Sequence, residues 1–174
     1  MHIAIDSEIG PLQRVLVHRP GEEIVRMTQH DLDRMLFDDI LAPDETTAEH
    51  DLMTEIMREA GAQVLALFPL LHEALEAAPL AARRALVERV CDQAGASGLT
   101  DRLIEWPADR LTAGLVTGVR WDELPAMPAT LARLRADHEE QRRFAVPPVP
   151  NLMFMRDPCI SVFDSVLVGG MATL

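Results

Sequence analysis

Apolar and polar residues alternate near the start of the chain, and the pattern then changes to a helical period. The alternation around Val15 and Val17, ended by a Pro-Gly pair, predicts a β-strand within LQRVLVHRPG. The helical period that follows predicts an amphipathic helix with Asp44 as its N-cap and Gly61 at its end. The face of this helix that we expect to be buried consists of Ala48, Leu52, Ile56 and Met57. Because the apolar segment AQVLALF then predicts a buried strand, the order strand, helix, strand indicates an α/β fold.

The middle of the chain is predicted to be an insert of short helices. From Pro69 to about Arg143 the sequence is rich in Ala, Leu, Arg and Glu, which favour helices, and Pro and Gly interrupt it. We therefore divide the chain into a first α/β segment (1–68), a helical insert (69–145) and a return to strands (146–174). The last segment opens with VPPVP, which predicts an extended connector of polyproline type.

The C-terminal residues predict a β-hairpin. The segments CISVF and SVLVGGM are both apolar and meet around Asp164 and Ser165. Proteins normally cover an apolar strand edge, so we expect further partners of this hairpin to come from residues outside the chain.

Composition and charge limit the class of protein. The chain has 174 residues, 48% of them hydrophobic, which is enough for one domain with a sizeable core. A net charge of −12 argues against nucleic acid as a partner, since binding phosphates requires clustered positive charge. The sequence contains neither an apolar run long enough to span a membrane nor a signal peptide, and its two cysteines are too few for a disulfide framework. We therefore expect a cytoplasmic protein that binds neither nucleic acid nor membrane.

The segment PNLMFMRDP (residues 150–158, called the 150–158 loop below) contains the most distinctive candidate chemistry. The Asp157 carboxylate could accept two parallel hydrogen bonds from a guanidinium group, and Phe154 could cover the flat face of that cation. The amide of Asn151 could bind a carboxylate or an amine. The same residues also fit a structural interpretation, with an Arg156–Asp157 ion pair, a core Phe154 and Asn151 in a turn.

The cysteine, histidine and paired aspartate residues indicate structural roles. Cys91 lies on a predicted helix and Cys159 next to a predicted strand, so we expect both thiols to belong to the core. The histidines lack the spacing of a metal-ligand pair, and we predict no metal site. Asp38 and Asp39 could act as an acid/base pair, but a role in fixing a helix end or loop is the alternative that we favour.

The chain resembles the arginine deiminases along essentially its whole length. The segments SEIGPLQRVLVHRPG, LFDDI (36–40), EHD (49–51), AGAQVLAL and PNLMFMRDP occur in the order typical of that family. The most specific of them are SEIG…VLVHRPG, LFDDI and PN-x-x-F-x-R-D. The commonest form of the last motif has Thr where this sequence has Met155.

The resemblance implies a fold and an activity. The family fold is a five-bladed α/β propeller, or pentein, with an inserted bundle of short helices. The family hydrolyses L-arginine to L-citrulline and ammonia without a metal or organic cofactor, through a Cys nucleophile and a His that acts as acid and base. No residue of this chain matches that Cys or that His, so we expect the N-terminal part of such an enzyme, inactive alone.

The resemblance also implies roles for individual residues. Asp157 would be catalytic, because it binds the substrate guanidinium and orients its carbon for attack. Asn151 would contact the amino-acid end of the substrate, Phe154 would pack beside its chain, and Leu36 would line the closed site. For Arg156 two roles stay open, contact with the substrate or positioning of Asp157.

Two other classes of protein stay open. The first is another guanidino-modifying enzyme, such as an amidinotransferase or a dimethylarginine hydrolase, although these smaller relatives generally lack the helical insert. The second is a non-catalytic half-protein that binds arginine or pairs with another chain. The expected partners are L-arginine and either further copies of the chain or a C-terminal complementing chain.

Overall fold

The computed structural model of the chain describes residues 5, 7, 9–125 and 143–169. Within these residues helices and strands are mixed, which confirms the α/β class, while the five-bladed arrangement and the three-segment division stay predictions. The segment LPAMPATLARLRADHEEQRRF, predicted to be helical, lies mostly outside the described residues. No helix in the described ranges is long and apolar enough to cross a membrane.

The N-terminal part of the fold alternates strands and helices. Its elements are β1 (Arg14–Val17), α1 (Glu22–Val25), a 3-10 turn (Gln29–Asp31), α2 (Leu32–Met35), α3 (Pro43–Glu59) and β2 (Gln63–Ala66). The strands β1 and β2 are parallel, with Arg14 opposite Gln63 and Val17 opposite Ala66. Both predicted strands and the helix between them are therefore present, but β2 is only partly buried rather than buried as predicted, and Leu67 and Phe68 already belong to the next helix.

Helix α3 begins two residues earlier than predicted, and Asp44 is not its N-cap. Ala42 is the N-cap residue and Pro43 occupies the first helical position, where its missing N–H has no helical partner to lose. Asp44 lies in the first turn instead, and a negative charge there is favourable to the helix dipole. The predicted end is confirmed, because Gly61 follows the last turn with a φ of +92°.

The predicted buried face of α3 is wrong for Ala48, Leu52 and Ile56, and Met57 is partly buried. Leu52 and Ile56 are both largely exposed. The helix instead turns a mostly polar face inward, at the spacing of three and four residues that places side chains in one row. This row consists of Thr47, His50, Thr54 and Met57. The His50 ring of this row lies close enough to His18, a member of the buried polar pair described below, for the two to interact electrostatically.

The helical middle of the chain forms its own core. Its elements are α4 (Leu67–Ala77), α5 (Leu80–Gln93), a 3-10 turn (Ser97–Leu99), α6 (Thr100–Leu103), α7 (Ala108–Thr117), β3 (Val119–Arg120) and a second 3-10 turn (Trp121–Glu123). The strand β4 (Phe144–Val146) returns to pair with β3 in antiparallel fashion. Their apolar side chains share one buried cluster, which includes Val87, Cys91, Leu99, Leu103, Leu111, Val119 and Val146. The predicted core position of Cys91 is confirmed, and burial raises the pKa of its thiol.

Two arginines tie the helical middle to the N-terminal part. Arg26 Nη1 donates a hydrogen bond to the carbonyl of Gly118 at 3.2 Å and forms an ion pair with Glu123 at 3.1 Å. Arg143 Nη2 donates to the carbonyl of Arg26 at 2.8 Å and lies 3.6 Å from the Asp31 carboxylate. These contacts fix the segment around α2 relative to β4 and the connector that follows it.

Gly118 allows the connector to pass close to the end of α7. Its φ is +80° and its ψ 162°, and a Cβ at this position would lie 2.6 Å from the Pro148 nitrogen and 2.9 Å from the Val146 carbonyl oxygen. Just beyond, the Val149 N–H donates to the Val116 carbonyl at 3.0 Å. The 150–158 loop therefore starts from a fixed point on the helical core.

The chain then forms the predicted hairpin. After a 3-10 turn (Pro150–Met153), β5 (Cys159–Val162) pairs antiparallel with β6 (Ser165–Val168). The connecting residues are Phe163 and Asp164, one position earlier than predicted, and Phe163 has a φ of +54°. Cys159 is only partly buried, so its expected core position is met in part.

Candidate functional site

Two motifs that are far apart in the sequence meet in the structure. Asn151 Nδ2 donates a hydrogen bond to the Met35 carbonyl at 2.9 Å, across 116 positions of sequence. The rings of Phe37 and Phe154 lie 6.1 Å apart between centroids, a distance typical of interacting aromatic pairs. Met153 packs against the buried Met35 and its neighbours. The LFDDI segment, with Met35 before it, and the 150–158 loop therefore lie in contact.

The 150–158 loop is a series of tight backbone turns. The Phe154 N–H donates to the Asn151 carbonyl at 3.0 Å, and the Asp157 N–H donates to the Phe154 carbonyl at 3.1 Å. The Pro158 carbonyl then accepts a hydrogen bond from Gly169 at 2.9 Å, which joins the loop to the hairpin. Asp157 is thus held one turn beyond Phe154, with its side chain exposed.

Leu36 adopts an uncommon backbone conformation at this site. It ends α2 with φ 59° and ψ 41°, in the left-handed region, while Phe37 donates to the Leu32 carbonyl at 3.0 Å. For a residue with a Cβ this conformation costs about 1–2 kcal/mol. The Leu36 side chain is 66% exposed, between two neighbours that both contact the 150–158 loop. Unfavourable conformations of this kind cluster at ligand sites.

The predicted site residues present complementary chemistry on an open surface. Leu36 and Phe154 offer exposed apolar groups, and Asp157 offers a carboxylate. The Asn151 Oδ1 atom is buried and accepts no hydrogen bond from the part of the chain that the structure describes. An exposed carboxylate next to exposed apolar groups is the chemistry that suits a cation with an apolar stem, while the Asn151 oxygen is closed to solvent. Arg156 is exposed beside Asp157.

A buried polar pair lies beneath α3, and the sequence reasoning missed it. His18 Nε2 lies 3.0 Å from Glu23 Oε1, and the Gly21 N–H donates to the same oxygen at 2.7 Å. Since the carboxylate accepts both bonds, Nε2 carries the proton. Burial alone would raise the pKa of Glu23, but the hydrogen bonds from His18 and from the backbone outweigh it and hold the pKa below its ordinary value.

The neighbourhood of this pair contains further polar contacts. Both ring nitrogens of His50 are buried without a hydrogen-bond partner in the described ranges. Burial lowers the pKa of His50, and the nearby His18, Arg19 and Arg58 lower it further, against the opposing charge of Asp51. Arg19 donates two hydrogen bonds of 2.8 Å to Asp51, and they lower the pKa of that carboxyl. The sequence signals were the HRPG and EHD segments, both noted for resemblance but not assigned contacts.

The remaining sequence candidates have local roles or none that the structure reveals. Asp38 and Asp39 are exposed, and Asp39 Oδ1 accepts a hydrogen bond from the N–H of Ile40 at 2.7 Å, as expected for a loop-fixing residue. Among the described residues, no group of three or more His, Cys, Asp or Glu side chains is arranged to hold a metal ion.

Comparison with known proteins identifies the family. A family model described as arginine deiminase matches residues 33–174. The arginine deiminase of Rhodococcus erythropolis is 33% identical over 98% of this chain and 43% of its own length, and that of Rhodococcus opacus is 34% identical with the same coverage. The arginine deiminase of Streptococcus pyogenes is 34% identical over 97% of this chain and 42% of its own length. The chain thus spans less than half the length of these relatives, and it belongs to the arginine deiminase family.

Proposed function

We propose that the chain forms part of the L-arginine site of an arginine deiminase, which hydrolyses L-arginine to L-citrulline and ammonia. The observation that carries the proposal is the hydrogen bond from Asn151 to the Met35 carbonyl, together with the contact between Phe37 and Phe154. These contacts bring together the two motifs whose residues the family resemblance assigns to substrate binding. Neither motif alone would offer all the groups that arginine requires.

Each proposed contact follows from the chemistry of arginine. The Asp157 carboxylate accepts two parallel hydrogen bonds from the guanidinium group, whose planar fork matches it. Leu36 and Phe154 pack against the apolar stem of the substrate. Asn151 contacts the amino-acid end of the substrate, as the family resemblance implies, once its buried amide oxygen becomes accessible in the complete site. Arg156 either contacts the substrate or positions Asp157.

The residues that break the C–N bond come from outside this chain in the proposal. Nucleophilic attack on the guanidinium carbon requires a thiolate, and the buried Cys91 has a raised thiol pKa, which is the opposite of what a nucleophile needs. Groups that bind substrate without a nucleophile do not turn it over. The chain alone is therefore inactive, and the complete enzyme uses a Cys and a His from elsewhere, without metal or organic cofactor.

The proposal is tested with a chimera. In the Rhodococcus erythropolis enzyme, the segment aligned with this chain is replaced by this chain. We expect arginine-dependent citrulline from the chimera and none from the isolated chain. Citrulline formation by the isolated chain would overturn the assignment of the nucleophile.

Substrate comparison separates the alternatives. An arginine deiminase site should prefer arginine over agmatine, which lacks the carboxylate, and over methylated arginines, whose methyl groups occupy hydrogen-bonding positions on the guanidinium. A preference for methylated arginines would favour a dimethylarginine hydrolase, and transfer of the amidino group to an added amine would favour an amidinotransferase.

A further inference from the structure

We propose that Phe37 is a positioning residue of the arginine site, which sets the spacing between the two apolar groups that receive the substrate stem. These groups are Leu36 and Phe154, to which the proposed function assigns contacts with that stem. The inference rests on the proposed function. It adds a residue that acts on the substrate through its neighbours, and it adds a property, the selection of a stem as long as that of arginine.

The Phe37 side chain is anchored in a small apolar cluster. It is partly buried and packs against the buried residues of that cluster, which are Ile24, Met27 and Met35. Met153, from the other segment of the site, packs against the same buried residues. Because protein interiors are closely packed, neighbours from both segments determine where the Phe37 ring lies.

From this anchor the Phe37 ring contacts Phe154. The ring centroids lie 6.1 Å apart and the ring planes are inclined by 37°, within the range of distances and the tilted geometries that aromatic pairs favour. Phe154 is 47% exposed, so much of its surface faces solvent and does not restrain it. The contact with Phe37 therefore holds a side chain that would otherwise change its position readily.

Phe37 also restrains Leu36, through the backbone. Leu36 precedes it with a φ of 59° and a ψ of 41°, and the Phe37 N–H donates to the Leu32 carbonyl at 3.0 Å. On the other side of Leu36, the Met35 carbonyl accepts the hydrogen bond from Asn151 at 2.9 Å. With both neighbours held, the Leu36 side chain projects outward and is 66% exposed. Phe37 is thus joined to one apolar group by a peptide bond and to the other by its ring.

The spacing of these two groups decides which substrate stem fits. Two parallel hydrogen bonds to the Asp157 carboxylate require the guanidinium group in one place, so a stem of another length cannot keep both ends of the substrate in register. One methylene more or less in a fitted apolar pocket changes the specificity by about 10–200-fold. A site with firmly held apolar contacts should therefore distinguish arginine from its homologues, and a site without the Phe37 ring should do so less well.

Steady-state kinetics of the chimera with Phe37→Leu test this role. The substrates are L-arginine and L-homoarginine, whose stem is one methylene longer. Loss of the ring contact should raise the KM for arginine about threefold to tenfold. The kcat should change by less than about twofold, because the stem is held equally in the ground state and the transition state. The preference for arginine over homoarginine, as the ratio of the two kcat/KM values, should fall by a factor similar to the rise in KM.

Two further variants separate positioning from a general effect on the fold. Phe68→Leu makes the same substitution at an exposed position of α4 and should leave KM, kcat and the substrate ratio unchanged. The double variant with Phe37→Leu and Phe154→Leu should raise KM by less than the product of the two single effects, because Phe37 acts partly through Phe154. A substitution that only reduced the folded fraction would lower kcat at an unchanged KM.

Each outcome decides for or against the role of Phe37. A raised KM with a nearly constant kcat, a reduced preference for arginine and a non-multiplicative double variant support it. An unchanged KM and substrate ratio in Phe37→Leu, or a lower kcat alone, would overturn it while the chimera remains active and the proposed function stands. Effects of the two single variants that simply multiply would also overturn it. An unsubstituted chimera that makes no citrulline would instead refute the proposed function, and this role with it.

Discussion

Replacing Gly118 by alanine should strongly destabilise the chain, since this residue fixes the start of the 150–158 loop. Its φ of +80° and ψ of 162° lie in a region that is essentially restricted to glycine, and a Cβ there costs about 1–3 kcal/mol. The added atom would also lie 2.6 Å from the Pro148 nitrogen and 2.9 Å from the Val146 oxygen. Because both are backbone atoms, they cannot turn away as a side chain would, and overpacking adds about 1–3 kcal/mol.

The expected loss in the free energy of unfolding is therefore about 4 kcal/mol, a large fraction of the 5–15 kcal/mol typical of domains. Urea unfolding followed by fluorescence measures it, with Trp106 and Trp121 packed against the helical core as reporters. The variant should shift the urea midpoint strongly at an unchanged slope.

Two other glycines separate the two contributions. Gly95 has a φ of +67°, and nothing lies within 4 Å of the position that an added Cβ would occupy, so Gly95→Ala measures the backbone cost alone. Gly98 has open space and no positive φ, so Gly98→Ala should be neutral or slightly stabilising. If Gly118→Ala unfolds at the same urea concentration as Gly98→Ala, the reasoning about the close approach of Pro148 is refuted.

Three further predictions concern the N-terminal part of the fold. Glu23→Ala leaves the buried His18 without its hydrogen-bond partner and should cost about 1–3 kcal/mol by urea unfolding. The exposed neighbour Glu22→Ala should stay within about 0.5 kcal/mol, and equal effects would contradict the buried pair. For pH, the folded state depresses the pKa of His50 from 6.5 and of Glu23 from 4.5, so in both cases the unfolded chain binds more protons. Stability should therefore fall as the pH drops below about 6.5 and fall again below about 4.5. Urea midpoints measured over a pH series test this: if the His50→Gln variant still shows the decline below about pH 6.5, His50 is not its source. Leu36 adopts a left-handed conformation that costs about 1–2 kcal/mol for a residue with a Cβ, and glycine adopts it without that cost. In Leu36→Gly this gain offsets the greater flexibility of the unfolded glycine chain, so the urea midpoint should not fall. A loss of stability above about 1 kcal/mol would show that Leu36 is not strained.

Local patterns predicted the regular elements well. The alternation around Val15 and the apolar segments of the hairpin predicted strands that the structure contains, because each strand has a side-chain period of two in its own sequence. The helices of the middle segment followed from its composition of strong helix formers.

The same patterns failed where burial is polar or contacts are distant. Hydrophobicity assigned Leu52 to the core, yet α3 buries Thr54 and turns His50 toward His18. A buried polar group has no signal in an apolar pattern, since its stability depends on a partner elsewhere in the chain.

The candidate site depended on family resemblance rather than on periodicity. Nothing local to Asn151 indicates a hydrogen bond to Met35, 116 positions away. Likewise, the left-handed conformation of Leu36 follows no composition rule, because glycine or asparagine would be expected at such a helix end. Resemblance grouped these motifs, and the structure then showed the contacts that join them.

The most direct test of the account is the kcat/KM for arginine of the chimeric enzyme with Asp157→Asn, compared with Asp164→Asn as an exposed control on the hairpin turn. In the proposal the substrate buries the pair of Asp157 and guanidinium, and removing one partner of a buried charged pair costs about 3–5 kcal/mol. Asp157→Asn should therefore lower kcat/KM by at least about a hundredfold. The Asp164 variant should retain the activity of the unsubstituted chimera. If Asp157→Asn also retained it, Asp157 would not bind the guanidinium group, and the proposed arginine site would be contradicted.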